Sequence, residues 1–155
     1  MLFQIQEHVL QMPGFPVLSA TLYGLAESEA RRHEDHSALR QYARILQFLP
    51  DDDTDEVDEH NAFIFTRTGK LHARQRDYDS SLNNLLMALS SRTKRVRRMK
   101  KTLEVADRDP SKDKFQSLYI SLRQEQELCN QLKRQIDRLE KLLEEEKGKR
   151  SDLEC

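Results

Sequence analysis

In residues 69–91, GKLHARQRDYDSSLNNLLMALSS, small residues fall where two helices would have to cross. Gly69 sits in a first helix, Asp77-Tyr78 at the turn, and Ser81, Leu85 and Ala88-Leu89 along a second helix. Small side chains at Gly69, Ser81 and Ala88 let the backbones approach. Tyr78 and Leu85 are large enough to fill the space against the next element. A second, weaker copy lies upstream, with Ala38, Tyr42, Ile45-Leu46 and Pro50 at the same offsets from Ala26 in the glycine position. Ala38 and Ser81 are 43 positions apart. A chain that repeats a hairpin has its architecture set by how the copies bury their faces.

The rest of the sequence agrees with helices. A chain of 155 residues has room for one compact domain, or a small domain with an extended element. With 34% charged residues, four Gly, four Pro and no Trp, it lacks the turn chemistry of a sheet protein, and the expected class is all-α. Leu22, Leu25, Ala26 and Ala30 recur at helical spacing, and after the polar HEDHS turn so do Leu39, Tyr42, Ala43, Leu46 and Leu49 before Pro50. Before them, MLFQIQEHVL is followed by MPGFP, whose prolines break a helix, so residues 1–18 read as a leader or packing arm. Residues 19–91 read as the paired hairpins, with the acidic run 51–59 inserted as a loop, and residues 92–155 as a long-helix extension ending in a coiled-coil helix.

The pattern at 69–89 resembles the tetratricopeptide repeat, and the upstream copy extends the resemblance over about residues 20–91. The 43-residue spacing exceeds the usual period of about 34, and the acidic insertion accounts for the excess. Generic antiparallel helices with small-residue contacts would show the same pattern. Two repeats fall short of the three or so needed for a continuous core, so a further element has to cover the last apolar face.

That element follows. Val96, Met99, Leu103 and Ala106 continue the helical spacing, predicting one helix from about Tyr78 to Arg108. Asp109-Pro110-Ser111 reads as a helix end and restart, with Asp109 as N-cap and Pro110 at the first helical position. From Phe115 a heptad register holds, with Phe115, Leu122, Cys129, Ile136 and Leu143 at a and Leu118, Leu132, Leu139 and Leu153 at d. Glu125 and Glu146 interrupt it. Folding back at Asp109-Pro110 would set Met99 near Ile120 and Leu89 near Asn130, given equal rise on both arms. Apolar g positions Leu128 and Leu142 widen the stripe beyond a two-stranded seam. The alternative is a parallel coil between two chains. Under fold-back, residues past about 141 overhang, which makes Leu142, Leu143 and Leu153 candidate partner-binding residues.

The formal charge of −1 conceals segregation: DDDTDEVDE (51–59) carries seven acids and RTKRVRRMKK (92–101) seven bases. The basic run reads as the solvated face of a long helix, a nuclear-import signal or a phosphate-binding face. No Gly or aromatic residue interleaves it as a single-strand binder needs, which argues against nucleic acid. The acidic run is its natural intramolecular counterweight.

No motif supports catalysis, a cofactor or a metal. His33-Glu34-Asp35-His36 lacks the HExxH spacing, and the run from Asp51 lacks the glycine and terminal Glu of a calcium loop. Thr68-Gly69-Lys70-Leu71 lacks the rest of a P-loop. Cys129 and Cys155 form no metal or disulfide framework, making a reducing compartment, the cytoplasm, the expectation. No apolar run of the roughly 18 residues needed to span a bilayer occurs. Membrane association would require lipidation of a longer precursor.

The tetratricopeptide resemblance implies a scaffold that presents a groove to a peptide or helix of another protein, without catalysis. Its chaperone-binding branch uses Lys and Asn on the first helix of a repeat as a carboxylate clamp. The matching positions here are Tyr23 and Glu27, then Thr66 and Lys70, which argues against that ligand. A groove lined by Tyr23, Tyr42, Phe65 and His72 suits an apolar or mixed peptide instead. More loosely, repeat-like helices followed by LKRQIDRLEKLLEEEKGKR resemble the bacterial QseG (YfhG) type of outer-membrane lipoprotein, which partners a sensor histidine kinase. VLSAT (17–21) resembles a lipoprotein cleavage box with Thr21 in place of the lipidated Cys. That resemblance implies a periplasmic regulator. The sequence expectation is a non-enzymatic adaptor that binds another protein and self-associates through its terminal helix.

Overall fold

The computed structural model describes residues 15–49, 53–106 and 115–154. The described chain is all-α, with α1 (Phe15–Arg31), α2 (Asp35–Phe48), α3 (Asp55–Arg74), α4 (Tyr78–Ala106) and α5 (Gln116–Glu154). It divides between Asp51 and Asp52 into two compact units. The first contains the α1/α2 hairpin and the second contains α3, α4 and α5.

In the first unit, α1 takes in Phe15 and Pro16. Proline is tolerated in a first turn, where its missing N–H has no helical acceptor, so the helix starts earlier than the Pro-Gly punctuation suggests. Leu22, Ala26, Ala38, Tyr42 and Ile45 are buried, at the helical spacing read from the sequence. In the turn after α1, His33 N–H donates to Ala30 C=O at 3.1 Å and Glu34 N–H to Glu29 C=O at 2.9 Å, with His33 at φ 61°. This is a Schellman closure, which satisfies carbonyls at a helix end that would otherwise lack partners.

The second unit opens on the acidic run, where structure and expectation part. Residues 51–59 are not all loop, because α3 begins at Asp55. Thr54 Oγ1 accepts from Val57 N–H at 3.3 Å, and Asp55, Glu56 and Asp58 occupy the first turn. Carboxylates there meet the positive end of the helix dipole, which favours a helix start where hydropathy alone reads insertion. The turn to α4 repeats the first unit's closure. Arg76 N–H donates to Ala73 C=O at 3.0 Å and Asp77 N–H to His72 C=O at 2.9 Å, with Arg76 at φ 61°.

Gly69 lies where α3 and α4 cross. A Cβ there would stand 2.8 Å from Leu85 Cδ2 and 3.3 Å from the Ser81 carbonyl oxygen. Ser81 Oγ donates to Gly69 C=O at 2.7 Å, so this small residue both permits the approach and satisfies its own hydroxyl. α4 then runs unbroken through residue 91, so the boundary expected at 91/92 falls inside a helix. α5 packs back along it: Leu85 and Ala88 share a core with Leu132, Ile136 and Leu139, to which Phe65, Tyr78, Leu82 and Leu89 add from the side. The helix thus folds back, and the heptad stripe is buried within the chain from Glu125 through Leu139, with Phe115, Leu118 and Leu122 half-buried before it. The expected cap at Asp109-Pro110 and the arm at 1–14 lie outside the described residues.

Candidate functional site

Three arginines of α4 organise the centre of the second unit. Arg92 Nη1 donates to both carboxylate oxygens of Glu125, at 3.0 and 2.9 Å, and Arg95 Nη1 joins the same carboxylate. Arg95 also reaches Asp55, Nε to Oδ1 at 3.2 Å and Nη2 to Oδ2 at 3.3 Å, while Arg98 holds Asp58 and, at 2.8 Å, Asp53. The Glu125 side chain is 5% exposed. A carboxylate that deep is tolerated only with charged donors around it, and here two guanidiniums supply them. Burial opposes the charge of Arg95, but the Asp55 hydrogen bond and the Glu125, Asp55 and Glu59 charges outweigh it and raise its pKa. Arg98 is raised as well, first by its hydrogen bond to Asp58.

This corrects two expectations. Part of the 92–101 run faces inward: Arg92 is buried, and Arg95 and Arg98 bridge α4 to the start of α3, leaving Lys94, Arg97, Lys100 and Lys101 on the solvated side. Glu125 is not a gap in the heptad stripe but the polar centre of the α4/α5 contact. Residues 55 and 95, and 58 and 98, stand about equally far from the turn at 75–77. Equal rise on the two arms of the α3/α4 hairpin brings 55 and 95 nearly level, and the long Arg98 side chain spans the remaining offset to Asp58.

Between α3 and α5, over the floor of α4, lie two adjoining cavities of ≈ 150 and ≈ 180 Å³. The first is lined by Phe63, Thr66, Arg67, Arg92, Leu128, Gln131 and Leu132, the second by Gly69, Ala73, Ser81, Leu85, Arg138 and Leu139, and Lys70 and Gln135 line both. The lining holds four cations and no carboxylate. Arg92 is neutralised by Glu125, whereas Lys70 and Arg138 stand exposed at the rim. Phe63 and Leu128 form an exposed apolar lip, with Arg67 stacked over the Phe63 ring at 5.5 Å.

The residues expected to bind a partner fall into three groups. Tyr42 is 1% exposed and its hydroxyl donates to Glu27; it is a core residue and cannot line a groove. Tyr23 tilts against it, with ring centroids 6.1 Å apart. Phe65 packs against the core of the second unit, and His72 is half-buried with Nδ1 3.6 Å from Asp77 Oδ2. Tyr23 and Tyr42 belong to one unit, Phe65 and His72 to the other. Leu142, at 39%, and Leu153, at 86%, are exposed on α5, with Leu143 half-buried between them. Cys129 sits in the α5 stripe, where burial first and the Glu125 charge second push its thiol pKa up, so it packs as a small apolar side chain. Among the described residues no group of three His, Cys, Asp or Glu side chains could hold a metal ion, and no helix is long and apolar enough to cross a membrane.

Comparison with models of protein families, with curated proteins and with solved structures finds no match to this chain.

Proposed function

We propose that this chain is a non-enzymatic adaptor whose helical hairpins form a scaffold and whose terminal helix makes the protein–protein contact. The observation that carries the reading is the end of α5. Its stripe is buried against α4 through Leu139, then continues past the start of α4 as Leu142, Leu143 and Leu153 beside three consecutive glutamates. An isolated helix of about a dozen residues is marginal in water, so such a segment gains stability by pairing. The tetratricopeptide-like organisation supports the scaffold half: two hairpins carry small or buried residues at a constant 43-residue offset, Ala26 with Gly69 and Ala38 with Ser81.

Truncation after Lys141 is the test. The shortened chain is expected to keep its helical circular dichroism and unfolding midpoint while losing self-association in sedimentation velocity and partner capture in a pull-down. Leu118→Asp and Leu132→Asp, in the folded-back stripe, should instead unfold the second unit. An unchanged oligomer and partner set after truncation would reduce the overhang to a solvated tail.

A further inference from the structure

The groove between α3 and α5 and the overhang of α5 match each other in chemistry, in length and in order. We propose that the overhang of one copy lies antiparallel to α5 in the α3/α5 groove of a second copy, closing a two-fold dimer. This rests on the reading of α5 as the contact element and names its partner.

Along the groove, the apolar lip of Phe63 and Leu128 comes first, the cation Lys70 follows beside Gln135, and Arg138 with Ala73 and Leu139 closes the far end. Leu128, Gln135 and Leu139 are separated by seven and then four positions. Along the overhang, read from its end, Leu153 comes first, Glu146 lies seven positions back and Leu142 four further. Laid antiparallel, Leu153 meets the lip, Glu145 and Glu146 meet Arg138 and Lys70, and Leu142 meets Leu139, while Glu144 lies on the far side of the helix and Lys149 stands opposite Leu132. Both segments run about ten or eleven residues, roughly 15–17 Å of helix.

The same register is reciprocal. When residue 153 of one copy stands opposite 128 of the other and 142 opposite 139, the second copy's overhang fills the first copy's groove by the same contacts. That is the condition for a closed isologous pair, whereas a head-to-tail contact would propagate. Charge favours this direction: laid parallel with Leu142 at Leu128, Lys149 would stand opposite Gln135 beside Lys70, whereas the antiparallel register sets Glu146 there, and the lining has no carboxylate to repel it.

Charge exchange in the full chain tests this directly. A groove variant, Lys70→Glu with Arg138→Glu, and a tail variant, Glu144→Lys with Glu145→Lys and Glu146→Lys, are each run by sedimentation velocity over a dilution series. Each alone is expected to weaken dimerisation by about tenfold or more, since it sets like charges against each other at two interfaces. Mixing the two variants should restore the dimer, because each acidic groove then meets a basic tail and each basic groove an acidic one. A single chain carrying all five changes should dimerise as well, which guards against a variant that merely folds poorly. A wild-type chain that stays monomeric when concentrated overturns the proposal, and so does a mixture that fails to recover the dimer. If truncation after Lys141 abolishes association while the mixture does not restore it, the groove is the wrong receptor though the overhang remains the contact.

Discussion

The two hairpins of this chain close alike and are held differently. Their turns share one hydrogen-bond pattern, with a left-handed residue at His33 and at Arg76, and their buried positions share one 43-residue offset. Yet the first hairpin buries Ala26 and Ala38, with Tyr42 tied by its hydroxyl to Glu27, while the second crosses on Gly69 and Ser81 and sends its large residue, Leu85, into a core shared with α5. A backbone pattern can thus be reused while the side chains that stabilise it are replaced. In the second hairpin, the extra helix brings a buried carboxylate, and arginines of the hairpin's own α4 neutralise it.

The largest effect is therefore expected at Glu125, which has no counterpart in the first hairpin. Glu125→Ala leaves the buried Arg92 without its counter-charge and Arg95 with only Asp55 and Glu59, and is expected to cost about 3–5 kcal/mol. Replacing Arg92 and Glu125 together by Met and Leu should recover much of that loss, because a well-packed apolar pair avoids the desolvation penalty. Urea titrations of the three proteins, followed by hydrogen exchange, give both numbers and show where protection is lost. Loss confined to residues 55–139 would mean that the units unfold separately; equal loss in α1 and α2 would mean one cooperative whole. A Glu125→Ala protein as stable as wild type would show that the network contributes little.

A middle-sized effect is expected at the helix crossing. Gly69→Ala gives the second hairpin the residue that the first carries at Ala26, but here the new Cβ meets Leu85 at 2.8 Å. The helix gains roughly 0.5–1 kcal/mol from replacing glycine, against about 1–3 kcal/mol for overpacking. A small net destabilisation should result, growing with Gly69→Leu. Ala26→Gly, the reverse exchange, should cost about 1 kcal/mol through backbone entropy. Lys70→Ala, beside the crossing but exposed, should leave the unfolding midpoint unchanged. Comparing midpoints for the four variants checks the assignment; if Gly69→Leu unfolds no earlier than Lys70→Ala, the two helices do not rely on a close approach.

Much of this architecture is legible in the amino-acid sequence. Helical periodicity and the scarcity of turn formers announce an all-α chain, and small residues at 69, 81 and 88 mark the crossing because only close packing explains them together. Once α5 folds back, equal rise on two arms of a helical hairpin sets its register, but the periodicity alone leaves a parallel coil between chains open. What periodicity cannot register is charge pairing between residues 30 to 45 positions apart. Arg92 to Arg98 look like a solvated face because their charge argues against burial, and only the carboxylates of Asp55, Asp58 and Glu125, brought from two other helices, reverse that argument. Tyr42 misleads for a related reason. An aromatic on a repeat helix can line a groove or fill a core, and its hydroxyl partner Glu27, fifteen residues away, is what commits it to the core. The overhang is legible because counting residues on each arm of a helical hairpin needs no side-chain detail.

The smallest expected difference lies at the starts of the two second helices, Asp77 before α4 and Glu34 before α2. Asp77 Oδ1 accepts from Ser80 N–H at 3.3 Å, whereas the longer Glu34 side chain makes no cap bond. Asp77→Ala is expected to cost about 1 kcal/mol, the usual value of such a cap, and Glu34→Ala nearly nothing. The hydrogen bonds from the Ser80 side chain and backbone hold the Asp77 carboxyl below its ordinary value, with the nearby His72 charge adding a smaller pull against a slight opposing effect of burial. A folded pKa below the unfolded one, about 3.9, means that the cap's contribution is fully present above that value and is lost as the pH falls through the folded pKa. The stability gap between wild type and Asp77→Ala should accordingly be constant from neutral pH down to about pH 5 and close below pH 4. Thermal midpoints of the three proteins across that range measure it, and a gap that persists unchanged into strong acid would show that Asp77 stabilises the turn by something other than its ionised carboxylate.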